Sequence, residues 1–469
     1  MTRRPITARA ARRVVVTLGV ALGSAWASTA SAETLAGAMA LAWERNAGIR
    51  SAAAQLSAVA ESIPQAEAER WPSLTASFGV GRKVDQERSF VYFGLPPADS
   101  ISDYVTRLWS VNAEYSLYRG GATEAGVDKA RAGTAAQRAA LADSLQALML
   151  NVAIAYADVI LAQDNVRAAK EALEGLLTQQ QAVDRAFRRQ DATRTDVDQT
   201  IERVEAGRAE LAQAEGQLAN ASIAFRRWVG QTPGELAPLP PTTDLPPSRA
   251  EAIREAVEVN PLIRRAQYEV EAARADITIA RSQTLPKLRL VAGLSNEFDF
   301  LGASSGTKRK YSIGLQFVMP LYQGGAPAAR LGASRDVERQ RQAQLEQARN
   351  LVAQDVATAW DSRGVAIAEL KARDTQVRAN SVALEGLRRE QGLGLRTVLD
   401  VLNGRRDLVT AKLAANQAQH DLALAELRVL AALGRLTPAR FGLPGAPVIE
   451  PVWDGTGGWS SVLARVLSR

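Results

Sequence analysis

The chain of 469 residues contains no cysteine. That excludes disulfides, thiolate metal sites and the lipidated N-terminal cysteine of a bacterial lipoprotein. A single histidine, His420, sits in a helical stretch beside Asp421 and reads as a surface residue. A metal site there would need partners that the sequence does not place nearby. No Ser/His/Asp set or paired carboxylate stands out. Gly79-Val80-Gly81 and Gly392-Leu393-Gly394 lack the strand–turn–helix setting of a phosphate loop. Neither an enzyme nor a bound cofactor is expected.

Proline is missing between Pro97 and Pro233, and again between Pro327 and Pro438. An interior proline costs a helix about 3 kcal/mol. Its absence, with dense Ala, Leu, Gln, Glu and Arg, points to very long helices. Acid is missing from positions 1–32, where five arginines account for most of the +7 net charge and leave +2 for the rest. The basic excess belongs to the leader, and nucleic acid is not an expected partner. That leader has arginines at 3, 4, 9, 12 and 13, an apolar core from Val14 to Trp26, and Ala30-Ser31-Ala32 as a cleavage site. It reads as a secretory signal peptide over residues 1–32.

What is present is a stretch that occurs twice. Leu117-Tyr118-Arg119-Gly120-Gly121 returns as Leu321-Tyr322-Gln323-Gly324-Gly325, and Val229-Gly230-Gln231-Thr232-Pro233 as Leu433-Gly434-Arg435-Leu436-Thr437-Pro438. Between these marks apolar residues recur by sevens: Val204, Leu211, Leu218, Phe225 in one copy; Val401, Leu408, Ala415, Leu422, Val429 in the other. A 3.5-residue period means helices packed along their length. The pattern breaks near 191–193 and 392–394, so each copy predicts a helical hairpin with a tip there. Upstream, Asn46 and Trp71-Pro72 match Asn260 and Leu285-Pro286 at an offset of 214, against 204 at the Gly-Gly pairs. The first copy therefore holds ten extra residues in between, expected around Val91–Tyr104.

Between each proline and each Gly-Gly the period changes to two. This predicts strands at about 73–82, 107–118, 287–296 and 310–321. Trp109, Val111 and Tyr115, and Tyr311, Ile313, Leu315 and Phe317, form apolar rows, and 14 of the 25 aromatics fall in residues 71–118 and 285–322. Such strands suit a transmembrane β-barrel with those seven residues facing lipid, or an ordinary antiparallel sheet over a soluble core. The signal peptide, with no membrane-spanning helix evident, favours the barrel. Four strands cannot close a useful bore and open edges are excluded from lipid, so three chains sharing twelve strands are expected.

The division is then a first repeat at 33–229, a proline-rich stiff linker at 230–248, a second repeat at 249–438 and a tail at 439–469. The fold class is mainly α with a β-barrel portion. Together these features resemble the TolC family of outer-membrane channel proteins. So does the tip pattern Gly-x-x-Thr-x-x-Asp-Val, complete from Gly394 to Val401 and degraded from Ala192 to Gln199. The resemblance covers about residues 34–440. It implies a homotrimer with a twelve-stranded barrel in the outer membrane of a Gram-negative bacterium and an α-barrel in the periplasm. It also implies a periplasmic adaptor, an inner-membrane ABC or proton-driven transporter, and use in protein secretion or efflux. Asp400 and Asn403 would line the constriction. Arg396, with Thr397, would latch the second hairpin to Asp198 and Thr195 of the first, unless Arg396 simply pairs with Asp400 on its own helix. A non-conducting coiled-coil scaffold explains the heptads but not the strands.

Overall fold

The computed structural model describes residues 33–89, 98–240, 242, 244–301 and 304–443. The expected leader and residues 444–469 of the expected tail lie outside them.

Each half opens with short helices split by an asparagine. In the first half α1 (Leu35–Arg45) ends at Asn46, whose side chain then caps α2 (Ala47–Ala60) by accepting from Ile49 N at 3.1 Å. A further break at Glu61, not anticipated, starts α3 (Ser62–Ala68). Pro64 lies in its first turn and removes a donor there.

Two strands follow, β1 (Ser73–Ser89) and β2 (Ala98–Tyr118), then α4 (Ala122–Arg188) and α5 (Arg194–Val229). The second half repeats this order as α6 (Arg249–Val259), α7 (Pro261–Ser282), β3 (Lys287–Leu301), β4 (Ser304–Val318), α8 (Ala326–Gly392) and α9 (Val398–Ala432). Asn260 plays the part of Asn46, accepting from Leu262 N at 2.9 Å. The strands, at 17, 21, 15 and 15 residues, outrun the ten to twelve expected of each, although β4 stops at Val318, short of the expected 321.

Both strand-to-helix turns need two successive left-handed residues, with φ of 65° and 82° at Gly120 and Gly121 and 59° and 81° at Gly324 and Gly325. A Cβ on Gly120 would also sit 2.9 Å from Leu285 Cβ. The Gly-Gly pair is therefore required twice over at this corner. Past it, α4 and α8 each run 67 residues, about 100 Å at ~1.5 Å per residue.

The four strands form one antiparallel sheet in the order β1-β2-β3-β4. The β2–β3 pairing joins the two halves, and β1 and β4 are open edges.

The larger core surrounds the middle of α4, where Leu141, Leu145, Leu148, Met149, Val152, Tyr156 and Val159 meet α1, α2, Phe225 of α5 and Leu424, Leu427 and Leu430 of α9. Among the described residues α4 alone is long and apolar enough, by length and composition, to cross a membrane; 56% of its apolar window is buried within the chain, as in a core helix. A smaller core joins α6, α7 and α8 to Val429 of α9 and Leu433 just past its end.

The proline-rich segment is no free spacer. Glu33 N donates to Glu235 O at 2.9 Å and Ala237 N to Glu33 O at 3.0 Å, while Leu236 is buried in the larger core. The Tyr156 hydroxyl lies 2.7 Å from both the Glu33 and Ala237 carbonyl oxygens. Burial, together with the Glu33 charge, pushes its pKa up to about 12.

Candidate functional site: sheet faces and hairpin tips

Residues directly opposite in an antiparallel pair share a face. The register therefore assigns every strand position to one side. One face carries the rows Tyr115–Leu290–Leu315, Leu74–Ala113–Ala292–Ile313 and Ala76–Val111–Leu294–Tyr311. All seven residues expected to face lipid lie on it. Tyr311, Ile313, Leu315 and Phe317 on the edge strand are 64–78% exposed in the single chain.

The opposite face is polar. Its rows are Thr75–Asn112–Gly293–Ser312 and Ser77–Ser110–Ser295–Lys310, with the Ser77 and Ser110 hydroxyls 2.7 Å apart. Arg289 donates to Glu114 at 2.7 Å, also on this side. The sheet thus has one side suited to hydrocarbon and one suited to water.

At the far end of the helices the two tips are built alike. Thr193 Oγ1 accepts from Asp196 N at 3.2 Å, and the Asp196 carboxylate accepts from Thr193 N at 2.8 Å. Thr397 and Asp400 repeat this, at 3.2 and 3.0 Å. The Thr-x-x-Asp of the tip pattern is therefore a helix capping box in both hairpins.

The equivalent residues lie 204 apart, which matches Thr193 to Thr397 and Asp196 to Asp400. The first tip then departs from the pattern only in having Gln190 for glycine, less than the Ala192–Gln199 reading had it. That reading was two residues out of phase, misled by the repeated aspartates at 196 and 198. The residue matching Gly394 (φ 78°) is Gln190 (φ 65°), the one non-glycine residue with positive φ among the described residues. Both tips turn with the same bonds: Asp191 N to Ala186 O and Leu395 N to Glu390 O, each 2.9 Å.

The expected latch is not made within the chain. Arg396 Nε donates to Glu390 at 2.9 Å inside its own tip, and Asp198 pairs with Arg194 one turn away. Each charge finds a carboxylate or guanidinium closer in sequence. Arg396 and Asp400 do not hydrogen-bond either: Arg396 Nε is on Glu390, and Asp400 Oδ2 is on Thr397. Those Thr397 bonds, with the nearby Arg396 charge, hold the Asp400 carboxyl below its usual range. Thr195 and Asn403 are exposed.

The sequence profile described as "Outer membrane efflux protein" matches residues 38–231 and 252–435. The chain belongs to the outer membrane efflux protein family. It is 29% identical to the outer membrane efflux protein BepC of Brucella suis, over 88% of each chain. It is 30% identical to the outer membrane protein TolC of Vibrio cholerae, over 90% of this chain and 94% of that one. The solved structure of CusC superposes with a TM-score of 0.73 at 20% identity, covering 92% of this chain and 98% of that one. Membership places the chain among outer-membrane efflux channels.

In this outer membrane efflux protein the two hairpins are tied along α4 and α9 rather than at the tips. Lys412 reaches Glu171 at 3.1 Å and Asn416 reaches Asn165 at 3.1 Å. Arg405 lies over Gly175, where a Cβ would fall 1.3 Å from its Nη1. Burial, and Arg388 nearby, lower its pKa.

His420 belongs to this seam, which corrects its reading as a surface residue. Its side chain is 10% exposed, with Nε2 2.8 Å from Asp158 and Nδ1 3.0 Å from Asp421. Burial alone would lower its pKa, but the two carboxylates raise it. Asp158 is 262 residues away in sequence, so nothing local to His420 signalled the contact.

Proposed function

We propose that three copies of this chain form one exit duct across the outer membrane. β4 of each copy pairs with β1 of the next, giving twelve strands with the apolar face on lipid and the polar face on a water-filled lumen. The helices continue the lumen into the periplasm. The observation that carries this is the two-faced sheet with both edges open: unpaired backbone donors and acceptors are not tolerated in hydrocarbon.

At the far end Asp400 and Asn403 line the narrowest ring, where ionised carboxylates favour cations. Arg396, Thr397, Thr195 and Asp198 are gate residues, and the resting partners Glu390 and Arg194 must be exchanged for the gate to move. The duct receives cargo from an inner-membrane ABC or proton-driven transporter through a periplasmic adaptor. It catalyses nothing and takes no cofactor.

The test is planar-bilayer conductance of the purified chain, together with its heat-modifiable migration in outer-membrane fractions. A conducting, SDS-resistant trimer is expected, and Asp400→Asn should weaken block by multivalent cations. A monomer that leaves vesicles impermeable would overturn the reading in favour of a scaffold.

A further inference from the structure

The outward face does not stay apolar to its top. Counting away from the helices, the row after Ala76–Val111–Leu294–Tyr311 is Phe78–Trp109–Asn296–Arg309, and the next is Val80–Arg107–Phe298–Thr307. The apolar belt therefore ends in a collar of two guanidinium groups and one carboxamide set among Phe78, Trp109 and Phe298.

Arg309 on β4 is directly opposite Asn296, and Arg107 on β2 is diagonal to it, so the two cations flank β3. Both arginines are exposed. One row higher, Arg82 is held by Asp103 through two bonds, at 2.8 and 2.5 Å.

Asn296 supplies a second, independent observation. It is 6% exposed, and its Oδ1 accepts no hydrogen bond. A buried carbonyl oxygen without a donor is uncompensated, and at the margin of an apolar belt it invites a donor from outside the chain.

We propose that Arg107, Asn296 and Arg309 form a binding site, one per subunit, for the phosphorylated sugar headgroup of an outer-leaflet glycolipid. The collar stands at the end of the belt away from the helices, which is headgroup level on the outer side. Guanidinium groups take phosphate oxygens in bidentate geometry. The Asn296 carbonyl accepts from a sugar hydroxyl. Trp109 and Phe298 seat the junction of headgroup and acyl chains, where amphipathic rings collect. Simple anionic glycerophospholipids offer the charge without the sugar ring.

This inference rests on the barrel reading above. The experiment is native mass spectrometry of the full-length protein in detergent. The probes are a glycolipid with a diglucosamine bisphosphate headgroup, its dephosphorylated counterpart, and phosphatidylglycerol. The wild type should retain the bisphosphate glycolipid at least ten-fold more tightly than either comparison lipid. Arg107→Ala with Arg309→Ala should abolish that preference, and Arg107→Lys with Arg309→Lys should keep part of it. Equal retention of the dephosphorylated lipid or of phosphatidylglycerol by the wild type would overturn the site, and that arm needs no variant to fold. So would an undiminished preference in the alanine variant. A wild type that binds selectively but conducts nothing sinks the duct and keeps the site; one that conducts without preference does the reverse.

Discussion

α4 and α8 are the same length and leave the sheet through the same Gly-Gly corner, yet their surroundings differ. Buried side chains run along α4 from Thr123 to Val183, whereas α8 buries only Pro327, Val352, Val356, Ala366 and Leu384. α4 is surrounded by α1, α2, α3, α5, α7 and α9, while α8 packs mainly on α6, α7 and α9. On its outer side α8 leaves Val337, Leu351 and Val365 exposed at steps of fourteen, or two heptads. One helix is folded by its own chain; the other carries a stripe at coiled-coil spacing that this chain does not cover. Identical backbone plans can thus serve opposite ends: one is the pillar of the subunit, and the other, in the trimer proposed above, would be its seam to a neighbour.

The sharpest way to break this contrast is to place the same change on both helices. Val152→Asp puts a charge into a fully buried position of α4 and should cost more than about 4 kcal/mol, abolishing the folded subunit. Val365→Asp, at a position 66% exposed, should leave the thermal unfolding of the subunit nearly unchanged and weaken the SDS-resistant trimer. Unfolding by both variants would erase the distinction.

The tips differ on a smaller scale. Gln190→Gly should stabilise the first tip and Gly394→Gln destabilise the second, by about 1 kcal/mol each, because an L side chain is strained at positive φ. Hydrogen exchange of the tip amides reads both, and shifts of the same sign would refute the matched geometry.

The smallest effect is in the seam. His420 has a folded pKa raised by Asp158 and Asp421, so the folded state holds its proton more tightly. The resulting stability is complete below about pH 6.5, the unfolded value, and is lost as pH climbs through the higher folded value. His420→Gln should flatten melting temperature against pH in that window; an unchanged slope would remove the histidine from the seam.

The long helices and the alternation of helix and strand were legible because proline, Gly-Gly and heptads punctuate them. The tops of the strands were not. From the row of Phe78 and Trp109 upward the outward face takes in Asn296, Arg309 and Arg107, so alternation of apolar and polar residues fades while backbone pairing continues to Ser89 and Leu301. The tip motif was visible but misaligned, since Asp196 and Asp198 both fit it and only the constant offset chooses between them. The seam of Arg405, Lys412, Asn416 and His420 could not be read locally. Its partners lie on α4, in the other half of the chain, and heptads report that helices pack without saying which side chains meet.

The offset between the two halves is 214 before the sheet and 204 after it, so all of the unmatched length falls in the hairpin of β1 and β2. That hairpin rises above the last shared rows, where neither the turn into α4 nor any helical contact depends on its height. On the proposed barrel that rim meets the outside world, so it can be re-tailored while the inner machinery keeps its gauge.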